Sequence, residues 1–338
     1  MTILENHSLK RLNTFGIDAW CRYFAEVSSV EQLKYLLGKY PPAEYQHLIL
    51  GGGSNILFTG NFEGLVVKIS NKGVWVTFEN EHEVVVKAAA GEEWDKFVEH
   101  CVSEGWSGLE NLSLIPGQVG SSPIQNIGAY GVELKDIFEC LEAYDKTSQE
   151  IKTFVKSECR FEYRSSIFKN EARGRYVILT VSFRLKKVNH CLRLEYEAVS
   201  SVLKKMGKSK PSIADVREAV CSIRRAKLPD PAVVHNAGSF FKNPVIDSQT
   251  YQELSQKHKG LVAFLENKNY KLSAGWLIEK AGWKGYREGD AGIHPLHALV
   301  LVNYGKATGM EILNLSDRIK RSVLQQFGVD LEGEVNIH

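Results

Sequence analysis

The sequence predicts an α+β protein built of two or three packed units, and three observations carry that reading. At 338 residues the chain exceeds the size at which a single hydrophobic core stops growing. Short strand-like runs lie around a few helices that each have one apolar face. Between them, residues 108–131 form a stretch rich in Gly, Ser, Pro and Asn that cannot be one regular element. A loop that long inside a compact unit is functional or disordered, and its apolar content argues against disorder.

The elements follow in order. Residues 23–27 and 47–50 read as strands around a helix over 29–39, with Val30, Leu33, Leu36 and Leu37 on one face, which makes a small β-α-β unit. A further strand is expected over 65–69. From Gly73 to Leu185 the pattern turns to strands, at 74–78, 83–89 and 176–185, around a helix with Trp94, Phe97, Val98 and Cys101 inward. A helix from the Ser212 cap through Ile213, Val216, Val220 and Ile223 must finish before Pro229 and Pro231. Beyond that linker come a short helix over 274–280, a buried strand over 298–302, and a long helix. The long helix opens with a Thr308-x-x-Glu311 capping box, closes at Gly328, and carries the stripe Ile312, Leu315, Ile319, Val323 and Phe327. Four segments result: 1–70, 71–225, 226–328 and a tail over 329–338.

Composition removes several function classes. The 42 basic and 40 acidic side chains nearly cancel and are scattered, so no basic surface for nucleic acid is expected. Six cysteines stand far apart, with no Cys-x-x-Cys and no zinc spacing. No signal-like start and no run of about 20 apolar residues is present, so a cytoplasmic protein with reduced thiols and no membrane insertion is expected.

Five segments carry chemistry. Gly51-Gly52-Gly53-Ser54-Asn55 follows a strand and offers backbone amides, positive φ and two side-chain donors, which suits a phosphate; an ordinary turn is the alternative. It matches neither a Rossmann fingerprint nor a P-loop. The run from Ile115 to Gly131 includes Pro116, Gly120, Ser121, Gln125, Gly128 and Tyr130, and mixes donors with apolar residues in a way that suits a flat ring flanked by a diphosphate. Together the two loops suggest a bound dinucleotide, of a kind that composition leaves open. In Asn236-Ala237-Gly238-Ser239-Phe240-Phe241-Lys242-Asn243-Pro244 a hydroxyl is framed by small residues and aromatics. The absence of Gly-x-Ser-x-Gly and of a partner base disfavours hydrolase chemistry. Arg164, within Tyr163 to Phe168, would suit a carboxylate-bearing substrate or a surface ion pair. Glu334, near the carboxyl end, decides nothing alone.

Taken together, "LKRLNTFGI", "LGGGSNILF", "IPGQVGSSPIQNIGAYGVEL", "CRFEYRSSIF", "LPDPAVVHNAGSFFKNP" and "KLSAGWLIEKAG" resemble UDP-N-acetylenolpyruvoylglucosamine reductases, in their longer type I form, over nearly the whole chain. The resemblance implies a two-part FAD-binding domain of the vanillyl-alcohol-oxidase kind, a C-terminal α/β substrate domain, and a tail that returns to the active site. It implies noncovalent FAD on Gly51, Gly52, Gly53, Ser54 and Asn55 and on the Pro116 to Tyr130 loop. NADPH is the implied reductant and a UDP-linked enolpyruvyl amino sugar the substrate, in a monomer. By the same resemblance Ser239 is the proton donor and Arg164 and Glu334 are electrostatic helpers, with Glu334 donating a hydrogen bond only if burial keeps it protonated. Tyr130, Lys227, Asn243 and Tyr196 map to substrate contacts, and Lys242 could assist Ser239. No second dinucleotide fingerprint is present, so NADPH and the sugar nucleotide are expected to share one pocket in turn. Gly333 departs from the proline of many relatives and is expected to loosen the backbone that aims Glu334. His297 stands as a phosphate contact or an ordinary structural histidine. The competing readings are a flavin oxidase with another substrate, which would not need Ser239 together with Glu334, and a non-catalytic nucleotide-binding protein.

Overall fold

A computed structural model describes residues 1–266 and 268–338, which divide into two compact units. The first comprises Met1–His7, Cys21–Gly52 and Glu63–Ala226. Its smaller sheet orders the strands Ile3–Ser8, Trp20–Val27, Phe62–Ile69 and His47–Leu50. The last two run parallel, pairing His47 with Leu65 and Leu50 with Lys68. The helix Val30–Lys39 links Trp20–Val27 to His47–Leu50, the strands on either side of Phe62–Ile69; Ser29 accepts a hydrogen bond from the Gln32 amide, and Leu33, Leu36 and Leu37 are buried.

The larger sheet of this unit is antiparallel, in the order Ile151–Val155, Phe138–Asp145, Tyr176–Lys186, Glu83–Ala89, Val74–Glu79. The first two of these strands were not expected from the sequence. The helix Trp94–Ser103 covers the sheet with Trp94, Phe97, Val98 and Cys101, the four inward residues that its period predicts. A second small core joins helix Glu197–Lys205 to helix Ile213–Lys227 through Val199, Leu203, Val216, Ala219, Val220 and Ile223.

The second unit takes Ser8–Trp20 and Gly53–Phe62 along with Lys227–His338. Its four-stranded sheet runs His235–Ser239, Val300–Asn303, Ala291–Ile293, Arg287–Glu288. The strand expected at 298–302 thus starts and ends slightly later. Against it lies the helix Gly309–Phe327, closed by Gly328 at φ 67°, with the capping box between Thr308 and Glu311 formed in both directions and all five residues of the expected stripe buried. Gly309 is obligatory there, because a Cβ would sit 1.7 Å from the Phe58 carbonyl oxygen. The tail ends in Asn336–Ile337, paired in parallel with Ile56–Leu57.

No helix among the described residues is long and apolar enough to cross a membrane, and none of their acidic, His and Cys side chains cluster as a metal site would need. All six cysteines are free thiols.

Candidate active site

In the first unit the two glycine-rich loops meet. A Cβ on Gly52 would stand 3.1 Å from the Gly117 Cα, and one on Gly51 would stand 3.1 Å from the Gln118 Oε1. Gly120 is packed more closely still, since its Cβ would fall 2.5 Å from that of Ala90. A side chain at Gly120 would have to displace Ala90, while Gly51 and Gly52 leave little room against the Gln118 side chain and the Gly117 backbone. Gln118 was missed by sequence reasoning: its Nε2 donates to the Gly91 carbonyl at 3.2 Å, while its Oε1 is buried with no hydrogen-bond partner in the protein. A buried acceptor left unmatched beside Gly51 wants a donor from outside the chain. Crowded glycines and one orphaned acceptor are what a polar cofactor with N–H and O–H groups would use, so these residues fit FAD.

The rest of that loop is held by its own side chains. Ser121 Oγ donates to the Gln118 carbonyl at 2.7 Å, and Lys169 Nζ donates to Gln125 Oε1 at 3.4 Å. Arg164 reaches the same loop, its Nη2 donating to the Gly128 carbonyl at 2.6 Å, and a Cβ on Gly128 would press on the guanidinium at 2.9 Å. Arg164 sits at φ 53°, in the left-handed region, at the tip of a tight turn closed by reciprocal bonds between Glu162 and Ser165. That conformation strains a non-glycine residue and persists where surrounding contacts impose it. The ring of Tyr130 meets that of Tyr196 edge-on, with centroids 5.3 Å apart. Tyr196 is otherwise exposed.

In the second unit Ser239 ends the strand His235–Ser239. The pairing partners are Asn236 with Val302 and Ser239 with Val300, so one strand advances three residues while the other advances two. This bulge at Ala237 and Gly238 is why the pentapeptide carried no strand signal, and Gly238 takes φ 72° within it. It re-aims Ser239, which is half-buried in front of the buried Phe240 and Phe241.

The tail joins the same strand. Phe241 pairs with Gly333, flanked by the Glu334 amide donating to the Phe240 carbonyl at 2.8 Å and the Lys242 amide donating to the Glu332 carbonyl at 2.9 Å. Glu334 is therefore brought from near the end of the chain to Phe240, the residue next to Ser239. Asn55 Nδ2 donates to the Glu334 carbonyl at 3.4 Å, and Asn336 Nδ2 donates to the Asn55 carbonyl at 3.0 Å, so Asn55 also serves the tail. The backbone around Gly333 is held on both sides rather than loosened. Lys242 forms an ion pair with Glu332. Asn243 Oδ1 accepts from the Ala274 amide at 3.0 Å, at the start of helix Ala274–Lys280. Lys227 is exposed at the end of its helix, and His297 lies in the turn leading to Val300.

Comparison with known proteins now decides the family. Residues 230–338 match the model of the UDP-N-acetylenolpyruvoylglucosamine reductase C-terminal domain, and residues 21–153 match that of an FAD binding domain. The UDP-N-acetylenolpyruvoylglucosamine reductase of Pseudomonas savastanoi pv. phaseolicola is 48% identical over 98% of this chain and 97% of its own. The chain belongs to the UDP-N-acetylenolpyruvoylglucosamine reductase family. A second member of that family, from Flavobacterium johnsoniae, is 46% identical over the full length of both chains. The solved reductase of Thermus caldophilus has the same fold, with a TM-score of 0.67 at 24% identity over 99% of this chain and 98% of its own. A solvent-stable cholesterol oxidase shares the fold more distantly, at TM-score 0.51 and 10% identity over 98% of this chain and 86% of its own. The fold of this reductase family member is thus α+β, with a two-part FAD-binding domain and the family's C-terminal domain.

Proposed function

We propose that this chain reduces the enolpyruvyl double bond of UDP-N-acetylglucosamine enolpyruvate to UDP-N-acetylmuramate, with electrons from NADPH and noncovalently bound FAD, in peptidoglycan precursor synthesis in the cytoplasm. The observation that carries the reading is the pairing of the tail with the Ser239 strand, which sets a hydroxyl and a carboxyl on neighbouring residues of adjacent backbones. An oxidase acting on another substrate would not need that arrangement.

FAD is held by Gly51, Gly52, Gly53, Ser54, Asn55, Pro116, Gly120, Ser121, Gln125 and Gly128, with Gln118 Oε1 as a further acceptor. When bound and reduced, FAD supplies the hydride from its N5. The chain's own side chains manage the charge and the proton. Addition to the terminal carbon of the enolpyruvyl group leaves negative charge spread onto the adjacent carboxylate, which Arg164 stabilises by a charged, directional hydrogen bond and Glu334 supports from the tail. Ser239 delivers a proton to the neighbouring carbon, a role open to a weak acid because the carbanion beside it is strongly basic. Tyr130, Tyr196, Lys227 and Asn243 bind the sugar nucleotide. Segments 1–70 and 71–225 serve the cofactor, 226–328 the substrate, and 329–338 the site. The protein works as a monomer, and NADPH and the sugar nucleotide take turns in one pocket.

The test is to add NADPH to the yellow protein without oxygen, follow loss of flavin colour, and then add the enolpyruvyl sugar nucleotide. Colour should return quickly in the wild type and slowly in Ser239→Ala, with the first phase intact in both. A wild type that stays bleached rejects the substrate; a Ser239→Ala protein that recovers at the normal rate rejects the proton donor.

A further inference from the structure

Tyr130 is a non-glycine residue in the left-handed region, at φ 48°, and two side chains hold it from opposite ends. At one end Asn111, which is 1% exposed, donates from Nδ2 to the Tyr130 carbonyl at 2.9 Å. At the other, the Arg224 guanidinium acts electrostatically on the phenol, and its Nε donates to the Leu114 carbonyl at 3.1 Å. Leu114 is left-handed as well, at φ 59°, and its amide donates to Asp95, which is paired with Arg217. Arg217 and Arg224 lie seven residues apart, two turns along one face of the helix Ile213–Lys227, so one helix anchors both strained positions. Asn111 does more than hold Tyr130. The same amide nitrogen donates to the Arg193 carbonyl, also at 2.9 Å, three residues before Tyr196, whose ring rests edge-on against Tyr130.

We infer that Asn111 is a positioning residue for sugar-nucleotide binding: one side-chain amide ties the backbone of Tyr130 to the segment bearing Tyr196, and Arg224 fixes the Tyr130 hydroxyl, so both tyrosines are pre-set before substrate arrives. This rests on the proposed role of the two tyrosines. A strained residue gripped at both ends is a ligand-binding surface whose ordering is complete beforehand. Loosening it should weaken substrate binding and leave the chemical step alone.

Asn111→Asp keeps shape and size but turns a carboxylate toward two carbonyl oxygens. In the flavin-loaded enzyme it should raise KM for the enolpyruvyl sugar nucleotide by roughly tenfold or more, with kcat and flavin content within about twofold of wild type. In a Tyr196→Ala background the same substitution should cost far less, because the segment it tethers no longer carries the ring. An unchanged KM, or a cost that is additive with Tyr196→Ala, overturns the inference. If Asn111→Asp does not fold, Arg224→Gln should show the same rise in KM with the loss reduced in Arg224→Lys, and a normal KM for a folded Arg224→Gln is equally fatal. A wild type that never reoxidises with this substrate would instead reject the functional reading on which the inference stands.

Discussion

The Glu334 amide donates to the Phe240 carbonyl at 2.8 Å, joining a residue near the end of the chain to the one that follows Ser239. If the tail is part of the catalytic apparatus, removing the Glu334 carboxylate must slow turnover and spare flavin reduction. Glu334→Ala should lower kcat by about 10²–10³, the usual cost of one electrostatic contact made in the transition state, while NADPH bleaches the flavin at the wild-type rate. Stopped-flow measurement of the two half-reactions separates these outcomes.

The same pairing makes Gly333 an unnecessary glycine. It does not take a positive φ, and a Cβ there would come no closer than 4.0 Å to the Phe240 oxygen. Gly333→Ala should therefore stabilise the protein by about 0.4–1 kcal/mol through the unfolded chain. A lower melting temperature in calorimetry would show that the residue has a conformational duty after all.

Gly53 is the opposite case. At φ 64°, with a Cβ destined to lie 2.0 Å from the Leu12 carbonyl oxygen, it cannot accept a side chain without moving backbone. Gly53→Ala should cost at least about 2 kcal/mol. Gly38→Ala, exposed in the helix Val30–Lys39 with nothing within 4 Å of its Cβ, should gain about 0.5–1 kcal/mol. Chemical denaturation of the two variants side by side gives the comparison.

Acid sensitivity should centre partly on Asp145. Arg175 grips its carboxylate with Nη2 at 2.6 Å and Nε at 3.0 Å, the Thr147 amide adds a bond at 2.9 Å, and together they hold it down to about 2. The folded value lies below the ordinary one near 4, so this stability is present above pH 4 and is lost as pH falls through about 2. Asp145→Asn should lower stability at pH 7 by about 1.5–3 kcal/mol and flatten the dependence between pH 4 and 2. Denaturation curves across that range that keep the wild-type slope would reject the assignment.

Local signals explain what was legible in the sequence. The helix Gly309–Phe327 was readable from end to end because its cap, stripe and terminating glycine are all written within a few residues of where they act. The loops around Gly51 and Gly120 were readable because close backbone approach has few solutions other than glycine. The strand His235–Ser239 was not, since Asn-Ala-Gly has no strand propensity and takes its conformation from Val300–Asn303. Gln118 was invisible for a different reason: an unmatched acceptor exists only after its neighbours have closed around it. The membership of Ser8–Trp20 and Gly53–Phe62 in the second unit rests on pairings hundreds of residues apart, such as Asn336 with Ile56, which no local pattern encodes.

The extra residue in the Ser239 strand sets a rule of parity for the gene. Residues paired across a ladder share a face, so deleting a single codon at Ala237 or Gly238 leaves two outcomes: Ser239 keeps Val300 as partner and the bulge is erased, or the bulge is kept and Phe240 takes the serine's place opposite Val300. Position 238 is constrained in identity as well, since its φ of 72° strains any side chain. Either outcome of the deletion removes the bend that presents the serine or replaces the serine by a phenylalanine, and descendants of this sequence should therefore keep the number of residues between Asn236 and Ser239 and a glycine at position 238.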